Sequence, residues 1–332
     1  MIQKTWAIGV DLGGTKIETA QVDASGHIGK SLRTSTDPDG SSSAILSGII
    51  RAIEELRSGL IGPPPAGVGV GVAGQIDPRS GAVLFAPNIG WRDVPLGAEL
   101  IDRLQLPVVV TNDVRAATWG EWIHGAGQNC NDLICLFVGT GVGGGIVCNG
   151  QILSGCGNTA GEIGHITIDL QGPSCTCGNR GCLEALAGGW AIARQAREAV
   201  SRDPMAGRLM LEMAGGVPDL ITARLVAGAC QNGDSLARDL IEKAGEALVA
   251  GAVSLVNAFN PCRLILGGGV IEGLPEWIDR VARGIRERAL PRAASVIEVL
   301  PARLKNGAGV VGAATLAMRL FGSEKKTDKE PA

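Results

Sequence analysis

The sequence predicts an α/β protein of two domains in which one strand–turn–strand motif occurs twice. Its 332 residues, 45% of them hydrophobic, are enough for two domains with large cores. Its 50 glycines cluster in DLGGTK, GVGVGVAG, GTGVGGG and LGGGV, beside runs rich in Val, Ile or Leu, which indicates strand ends and tight turns. An apolar strand, a Gly/Thr turn and a second strand recur after ~130 residues, which indicates an internal duplication.

The first half is predicted to begin with three strands, the third near Ile28–Thr34, joined by a Gly-rich turn and an Ala-Ser-Gly turn. Helical spacing and a Ser cap predict a helix in SSSAILSGIIRAIEELRSGL. The next predicted elements are a buried strand in GVGVGVAG, a short helix in PLGAELIDRL, a strand in QLPVVVTND and a helix in DVRAATWGEWIHGAG.

The second half repeats the hairpin in DLICLFVGTGVGGGIVCNGQIL and is then largely helical from Gly188 to about Phe259. A buried strand entering a helix is predicted in PCRLILGGGV, and a terminal helix in NGAGVVGAATLAMRLFG. We therefore expect a first domain over 1–115, onto which the helix at about 308–322 packs back, and a larger second domain over 116–307. A flexible charged tail is expected over 323–332.

The composition argues against several classes of partner. The net charge is −3 and no basic run occurs, so we expect no nucleic-acid partner. No stretch of ~18 uncharged apolar residues predicts a membrane span, and the N-terminal residues lack a signal-peptide pattern. Nine cysteines without such a signal favour reduced thiols and a cytoplasmic location.

The Gly-rich motifs favour a phosphate site other than a dinucleotide fingerprint. GVGVAG and GTGVGG both fit G-x-G-x-x-G, but neither opens a helix, as that fingerprint requires. The alternative is a hairpin whose turn amides face a phosphate, with Mg²⁺ or its waters between the phosphate and Asp11 at the end of the first strand. Each motif alone is equally typical of an ordinary hairpin, whereas two hairpins together with LGGGV favour a nucleotide cleft.

Asn112 and Asp113 stand at a strand end directly before a predicted helix. The local pattern alone favours a helix N-cap, for which Asn and Asp are preferred. The functional interpretation is a general base that takes the proton of a hydroxyl as it attacks phosphorus. One aspartate can both cap and catalyse, so the two interpretations do not exclude each other.

Cys175, Cys177 and Cys182 fall within eight residues, and His165 precedes them by ten positions. The intervening glycines allow the backbone to wrap an ion, and one His with three Cys makes a closed tetrahedral zinc site of the structural kind. Such a site has no position left for an activating water. A Cys175–Cys182 disulfide and buried free thiols are the alternatives.

Glu162 and Glu184 flank this cluster. Together with Asn88, Asn112 and Asp113 they form a set of carboxylates and amides. Such groups suit the many hydroxyls of a sugar.

Seven motifs resemble, in order, those of the ROK group, which comprises repressors, open reading frames and sugar kinases. They are GVDLGGTKIE, GVGVAGQID, APNIGW, TNDVRAATWGE, FVGTGVGGGIV, AGEIGH and CTCGNRGCLE, spanning roughly Ala7–Gly269. The last two are specific to the group, whereas the hairpin motifs are shared with actin-like sugar kinases. The resemblance implies a two-domain actin-like ATPase (ribonuclease H-like) fold whose interdomain cleft binds ATP and a sugar.

The resemblance also implies roles for individual residues. It implies Asp113 as the catalytic base and structural Zn²⁺ on His165, Cys175, Cys177 and Cys182. The residues it implies around Mg-ATP are Asp11, Gly13, Gly14, Thr15, Lys16, Thr140, Gly141, Gly267, Gly268 and Gly269. The residues it implies in sugar binding are Asn88, Asn112, Asp113, Glu162, His165 and Glu184.

We therefore expect an ATP-dependent hexose kinase, most specifically one that makes glucose 6-phosphate, assembled as a homodimer or homotetramer. Kinases of N-acetylmannosamine, N-acetylglucosamine, fructose, mannose and allose share nearly all of these motifs, and polyphosphate as the donor also stays open. The group's repressors carry a helix-turn-helix domain, whereas only about six residues precede the first predicted strand here. A non-catalytic sugar sensor would be expected to lack the base, and Asp113 is present.

Overall fold

Two five-stranded sheets organise the residues that the computed structural model describes, which are 6–36, 41–58 and 63–322. The chain divides into two compact units. The first comprises the described residues of Met1–Gln128, Ser154–Thr159 and Asn306–Ala332, and the second comprises Asn129–Leu153 and Ala160–Lys305. The expected tail, 323–332, lies outside the described residues. The expected division between 115 and 116 stays a prediction.

The strands are, in chain order, β1 (Trp6–Leu12), β2 (Lys16–Asp23), β3 (Ile28–Ser35), β4 (Val68–Val72), β5 (Gln75–Ile76), β6 (Val83–Ala86), β7 (Trp91–Val94), β8 (Val108–Asn112), β9 (Leu133–Val138), β10 (Val142–Cys148), β11 (Gln151–Ile152), β12 (Arg263–Gly267) and β13 (Glu298–Pro301). The α-helices are α1 (Ser42–Ser58), α2 (Leu96–Leu104), α3 (Asp113–Ile123), α4 (Leu183–Ala187), α5 (Gly189–Arg202), α6 (Arg208–Met213), α7 (Ala223–Gln231), α8 (Ser235–Phe259), α9 (Gly269–Gly273), α10 (Glu276–Arg288), α11 (Pro291–Ala294) and α12 (Ala308–Phe321). Short 3₁₀ helices cover Pro87–Ile89, Ile163–His165, Pro218–Leu220 and Lys305–Gly307.

The main sheets of the two units share one strand plan. Their orders are β3-β2-β1-β4-β8 and β11-β10-β9-β12-β13. In each, three antiparallel strands are followed by two strands parallel to the first. The duplication predicted from the two hairpins is therefore confirmed. Because the carboxyl ends of parallel strands meet at one edge, the segments after β1, β4 and β8 share an edge in the first unit, as do those after β9 and β12 in the second.

Each unit has its own apolar core. In the first, β1 and β4 are buried along nearly their whole length and pack with α1 and α2. In the second, α8 lies at the centre of the buried cluster together with β9, β12 and α10. Within the described ranges, no helix combines the length and the apolar character that a membrane span requires.

Close helix packing on the first sheet depends on glycine. A β-carbon added to Gly9 of β1 would lie 1.9 Å from the carbonyl oxygen of Val310 in α12. One added to Gly312 of α12 would lie 1.6 Å from the carbonyl oxygen of Ala116 in α3. A larger residue at either position would push the helices off a close-packed core. The last helix therefore lies directly against β1 and α3.

Several elements of the structure were not predicted from the sequence. The segment QIDPRSG begins with β5, which pairs with β6, and a turn follows where the Gly81 amide donates to the Asp77 carbonyl oxygen at 2.9 Å. A two-residue strand is too short to show alternation, so only the pairing reveals it. The helix α10 and the strand β13 were also not predicted.

Candidate active site and metal centre

Two carboxylates lie at the carboxyl edge of the first sheet. Asp11 near the end of β1 pairs in register with Gly71 of β4, and a β-carbon on Gly71 would lie 3.3 Å from the Cα atom of Asp113. Glycine at position 71 lets α3 begin this close to β4, because a β-carbon there would crowd the first turn of the helix. Burial, and then the charge of Asp113, raise the pKa of Asp11 to about 7, although Lys16 opposes the shift. The fold therefore holds a carboxylate where it is electrostatically unfavourable, which is typical of a functional site.

Asn112 is the N-cap of α3. Its backbone is extended, with φ −65° and ψ 145°, and its side-chain oxygen accepts a hydrogen bond from the Arg115 amide at 3.0 Å. The Asn112 amide group donates to the carbonyl oxygen of Gly74 at 3.3 Å, which orients the side chain from its other end. The cap expected in this pair is thus confirmed for Asn112. Asp113 follows as the first helical residue.

The turn between β1 and β2 is held by its own backbone and by Thr36, the residue that follows β3. The Gly13 amide donates to the Lys16 carbonyl oxygen at 3.0 Å. Thr36 donates its own amide to the Thr15 carbonyl oxygen at 3.0 Å and its hydroxyl to the Gly13 carbonyl oxygen at 2.8 Å. Among the described residues, the amides of Gly14 and Thr15 donate to no protein acceptor. Two successive N–H groups of this kind suit an anion.

Asn88 lies beside this turn. A β-carbon on Gly14 would be 3.2 Å from both the Cβ atom and the carbonyl oxygen of Asn88. Asn88 itself is exposed, in the 3₁₀ helix Pro87–Ile89. The first unit therefore brings a residue expected to bind sugar next to residues expected to bind phosphate.

The second unit carries a matching turn between β9 and β10. The Gly139 amide donates to the Gly141 carbonyl oxygen at 2.9 Å. Glycines 267–269 join the end of β12, the parallel neighbour of β9, to the start of α9. Gly268 has φ +91°, and a β-carbon added to it would lie 2.5 Å from the Val138 carbonyl oxygen. The two glycine segments expected around ATP in this unit therefore share one edge of its sheet.

The structure brings His165, Cys175, Cys177 and Cys182 together as one cluster. Their ligand atoms all lie within 4.8 Å of one another. The Cys175 Sγ atom is 3.7 Å from the His165 Nδ1 atom, and the Cys177 and Cys182 Sγ atoms are 3.7 Å apart. A tetrahedron with Zn–S bonds of about 2.3 Å and a Zn–N bond of about 2.0 Å has sulfur–sulfur edges of about 3.8 Å and sulfur–nitrogen edges of about 3.5 Å, so both distances are close to those of a zinc site. All nine cysteines are free thiols, so the alternative Cys175–Cys182 disulfide does not occur.

A tight loop shapes this cluster. The Cys175 amide donates to the Asn179 carbonyl oxygen at 2.8 Å, and the Gly178 amide donates back to the Cys175 carbonyl oxygen at 3.1 Å. Gly178 (φ +92°) and Gly181 (φ +65°) provide the left-handed backbone that the turn needs. Burial raises the pKa of the Cys182 thiol to about 12, whereas a hydrogen bond with the Asn179 backbone lowers the pKa of Cys177. Metal binding here would therefore release protons.

The two glutamates that flank the cluster lie in different surroundings. Glu162 is exposed and immediately precedes the 3₁₀ helix that contains His165. Glu184 is partly buried in α4, and its Oε2 atom accepts a hydrogen bond from the Val142 amide at 2.9 Å. The sequence did not predict this contact with the β9–β10 turn.

The predicted site residues thus form one group in each unit. The first unit holds Asp11, Gly13, Gly14, Thr15, Lys16, Asn88, Asn112 and Asp113. The second holds Thr140, Gly141, Glu162, His165, Cys175, Cys177, Cys182, Glu184, Gly267, Gly268 and Gly269.

Sequence reasoning missed two supporting residues. Thr36 fixes the β1–β2 turn, and its position directly after the third strand is the only signal that could have indicated it. Arg115, a buried cation of α3, donates to the side-chain and backbone oxygens of Asn158, and the Asn158 amide group donates to the Ile76 carbonyl oxygen at 2.8 Å. No local pattern links Arg115 to a segment more than forty positions later.

The repeated sheet plan, together with solved relatives, identifies the fold class as the two-domain actin-like ATPase fold. The chain belongs to the ROK family, whose sequence model matches residues 7–319.

Similarity extends over nearly the whole chain. A glucokinase from Streptomyces coelicolor is 36% identical over 313 residues, which cover 93% of this chain and 96% of that protein. A glucokinase from Halalkalibacterium halodurans is 36% identical over 329 residues, which cover 97% of each. Among solved structures, a ROK glucokinase from Streptomyces griseus in complex with glucose and AMPPNP superposes with a TM-score of 0.81 at 36% identity, covering 95% of this chain and 99% of that one.

Proposed function

We propose that this protein transfers the γ-phosphoryl group of ATP to a hexose and that its substrate is glucose, converted to glucose 6-phosphate. The observation that carries the proposal is the start of α3, where Asn112 supplies the cap and Asp113 follows at the edge that also carries Asp11. Similarity at 36% identity to two glucokinases, each over more than nine-tenths of its length, supports glucose as the acceptor.

Asp113 is the proposed base. Its carboxylate accepts the proton of the attacking hydroxyl while the hydroxyl oxygen bonds to the γ-phosphorus and the bond to the β-phosphate oxygen breaks. ADP leaves, and the protonated Asp113 returns its proton to solvent. A positioned general base contributes typically about 10²–10⁴-fold to such a reaction.

Backbone amides are proposed to bind the phosphates. The Gly14 and Thr15 amides in the first unit, and the Thr140 and Gly141 amides in the second, are free of protein acceptors among the described residues. Amides fixed in this way stabilise charge on a transferring phosphoryl group without reorganising. Glycines 267–269 would let the nucleotide approach the backbone closely.

Asp11 is the residue that fits Mg²⁺. Its carboxylate is a hard oxygen ligand of the kind Mg²⁺ prefers. Burial and the neighbouring Asp113 raise its pKa to about 7, so a divalent cation would compensate charge that the surrounding protein does not. When bound with ATP, Mg²⁺ would neutralise charge on the phosphate oxygens.

The cysteine cluster is proposed to hold structural zinc next to two residues that would contact the sugar, His165 and Glu162. Because the His165 Nδ1 atom faces Cys175, the other ring nitrogen, Nε2, is the one that would contact a sugar hydroxyl. Exposed Glu162 stands three residues before His165, directly ahead of the same 3₁₀ helix. Zinc would thereby fix two sugar contacts without taking part in the reaction.

A screen of ADP release tests this proposal. The purified protein would be assayed with Mg-ATP, and separately with polyphosphate, against glucose, mannose, fructose, allose, N-acetylglucosamine and N-acetylmannosamine. We expect the highest kcat/KM for glucose with ATP. A higher value for an N-acetyl sugar would contradict the glucose assignment, and no turnover on any sugar would contradict the kinase assignment and favour a sensor.

A further inference from the structure

We infer that Glu184 is a positioning residue for the β9–β10 turn and that the zinc cluster thereby sets the affinity for nucleotide phosphates. This inference rests on the proposed function. It goes beyond a sugar-binding role for Glu184 because it gives that residue, and through it the zinc cluster, an additional role in binding the nucleotide.

The first line of evidence is the hydrogen bonding of the turn. The Val142 amide donates to the Glu184 Oε2 atom at 2.9 Å. The carbonyl oxygens of Gly139 and Thr140 accept from the amides of Gly189 and Trp190 at 2.9 and 2.8 Å. Among the described residues, these three hydrogen bonds to the turn all come from α4 or from the start of α5.

The second line of evidence is the set of backbone amides in the turn that these hydrogen bonds leave without an acceptor. With the Gly139 amide on the Gly141 carbonyl oxygen, the turn retains only the Thr140 and Gly141 amides without acceptors in the described chain. Thr140 is exposed and Gly141 is partly exposed. Fixing the other groups thus leaves two neighbouring N–H groups available for an anion, as a phosphate site requires.

The third line of evidence links the same helices to the metal cluster. Cys182 is both a cluster thiol and the N-cap of α4, two residues before Glu184. The side chain of Trp190 packs against Cys175, Cys182 and Ala185, while its amide holds the turn. Two separate paths, one through Glu184 and one through Trp190, therefore connect the cluster to the turn.

The Glu184 carboxylate packs closely against Gly141 of the turn. A β-carbon on Gly141 would lie 2.3 Å from the Glu184 Oε2 atom, so the carboxylate occupies the place of a side chain beneath the turn. If the cluster loses its metal, the thiols and His165 are no longer tied together. The α4 helix, only five residues long, then loses its anchor at Cys182.

Paired variants test the inference by direct binding. Dissociation constants for AMPPNP and for glucose would be measured separately by calorimetry on zinc-loaded protein, with zinc content checked for each variant. Loss of a hydrogen bond to a charged group changes an equilibrium constant by about 10- to 100-fold, whether that constant describes ligand binding or the local opening that allows hydrogen exchange. We expect Glu184→Ala to weaken AMPPNP binding by that factor and Glu184→Gln, which keeps a carbonyl acceptor, to weaken it much less.

Two comparison variants sharpen the result. Glu162→Ala is expected to weaken glucose binding and leave AMPPNP binding unchanged, because Glu162 makes no hydrogen bond to the turn in the described part of the chain. Glu212→Ala, an exposed position on α6, is expected to change neither. If Glu184→Ala behaves like Glu162→Ala, with AMPPNP binding within about two-fold of the parent protein, the inference is overturned.

Hydrogen exchange separates this inference from the proposed function. We expect faster exchange at the Val142 amide in Glu184→Ala, and faster exchange across 139–142 after removal of zinc with a chelator. Unchanged exchange in both cases would overturn the inference. Failure of the parent protein to bind AMPPNP would contradict the proposed function instead, while the exchange result would still decide whether the cluster holds the turn.

Discussion

The side chain of Asn112 accepts a hydrogen bond from the Arg115 amide at 3.0 Å, so the cap of α3 is Asn112 and the first helical residue is Asp113. The capping duty and the proposed catalytic duty thus fall on neighbouring residues. Each duty can therefore be removed separately.

Removing the cap should destabilise the protein. Asn112→Ala loses the acceptor for the Arg115 amide, and loss of an N-cap typically costs about 1 kcal/mol in the free energy of unfolding. Asn112→Asp keeps an acceptor and should retain most of that stability. Urea unfolding of the two variants measures the difference, and equal stability of Asn112→Ala and the parent protein would show that the cap contributes nothing.

Zinc content should follow the four cluster residues. We expect about one zinc per chain by elemental analysis. Cys177→Ala should lower the zinc content and either raise the KM for glucose or unfold the loop, because the cluster ties the 3₁₀ segment that carries His165 to α4. The matched control is Cys262→Ala, an exposed thiol outside the cluster, which should keep full zinc content. A zinc-free variant that binds both substrates normally would exclude this role for the metal.

His124 should make stability depend on pH. Burial lowers the pKa of His124 below 6.5, although the backbone of Ser25 and the charge of Asp23 oppose the shift. The unfolded chain therefore binds a proton near pH 6.5 that the folded protein binds only at lower pH. The stability that neutral His124 contributes to the folded state is present above pH 6.5 and is lost as the pH falls below it. The ring contacts Thr315 of α12 at 3.1 Å.

The test compares urea midpoints at mildly alkaline and mildly acidic pH. We expect His124→Gln to lose less stability on acidification than the parent protein does. His27→Gln, at an exposed position, should behave like the parent. An equal loss in His124→Gln and the parent would show that His124 is not the group responsible.

Asp11 should have the opposite effect on stability. Burial and Asp113 raise its pKa to about 7 from an ordinary value of 3.8, so the folded protein favours the protonated form. The folded state is penalised above pH 7, where Asp11 ionises, and the penalty disappears as the pH falls toward 3.8. Asp11→Asn, measured without divalent cations, should raise the free energy of unfolding by on the order of 2–4 kcal/mol at alkaline pH.

The gain in the free energy of unfolding of Asp11→Asn should shrink on acidification, and the variant should be inactive at every pH. Such a result is the expected trade-off of a charge retained for function. Thermal unfolding of the variant and parent protein across the pH range provides the measurement. A gain that is independent of pH would mean that the ionisation of Asp11 is not its source.

The sequence predicted the features that depend on local residue patterns, but not those that depend on contacts between distant segments. The repeated hairpins, the cap at Asn112 and the His/Cys cluster follow from spacing and residue type, and the structure contains all three. The bond from Val142 to Glu184 joins positions 42 apart, and no periodicity within either segment indicates it. The strand β5 has only two residues, too few to show alternation.

Glycine illustrates the same limit. DLGGTK and GTGVGGG are recognisable as turns, but Gly9 and Gly312 are required for another reason. They let α12 approach β1 and α3 to backbone contact, which is a property of tertiary packing. A sequence shows that glycine is present and does not show which neighbour it accommodates.

The kinetics of Asp113→Asn test the central claim most directly. The amide keeps the size of the side chain but cannot accept the hydroxyl proton, so kcat for glucose with Mg-ATP should fall by at least about 10²-fold. The glucose dissociation constant should stay close to that of the parent protein, and Asp102→Asn, at an exposed position on α2, should leave both quantities unchanged. Near-full turnover by Asp113→Asn would contradict the assignment of the base.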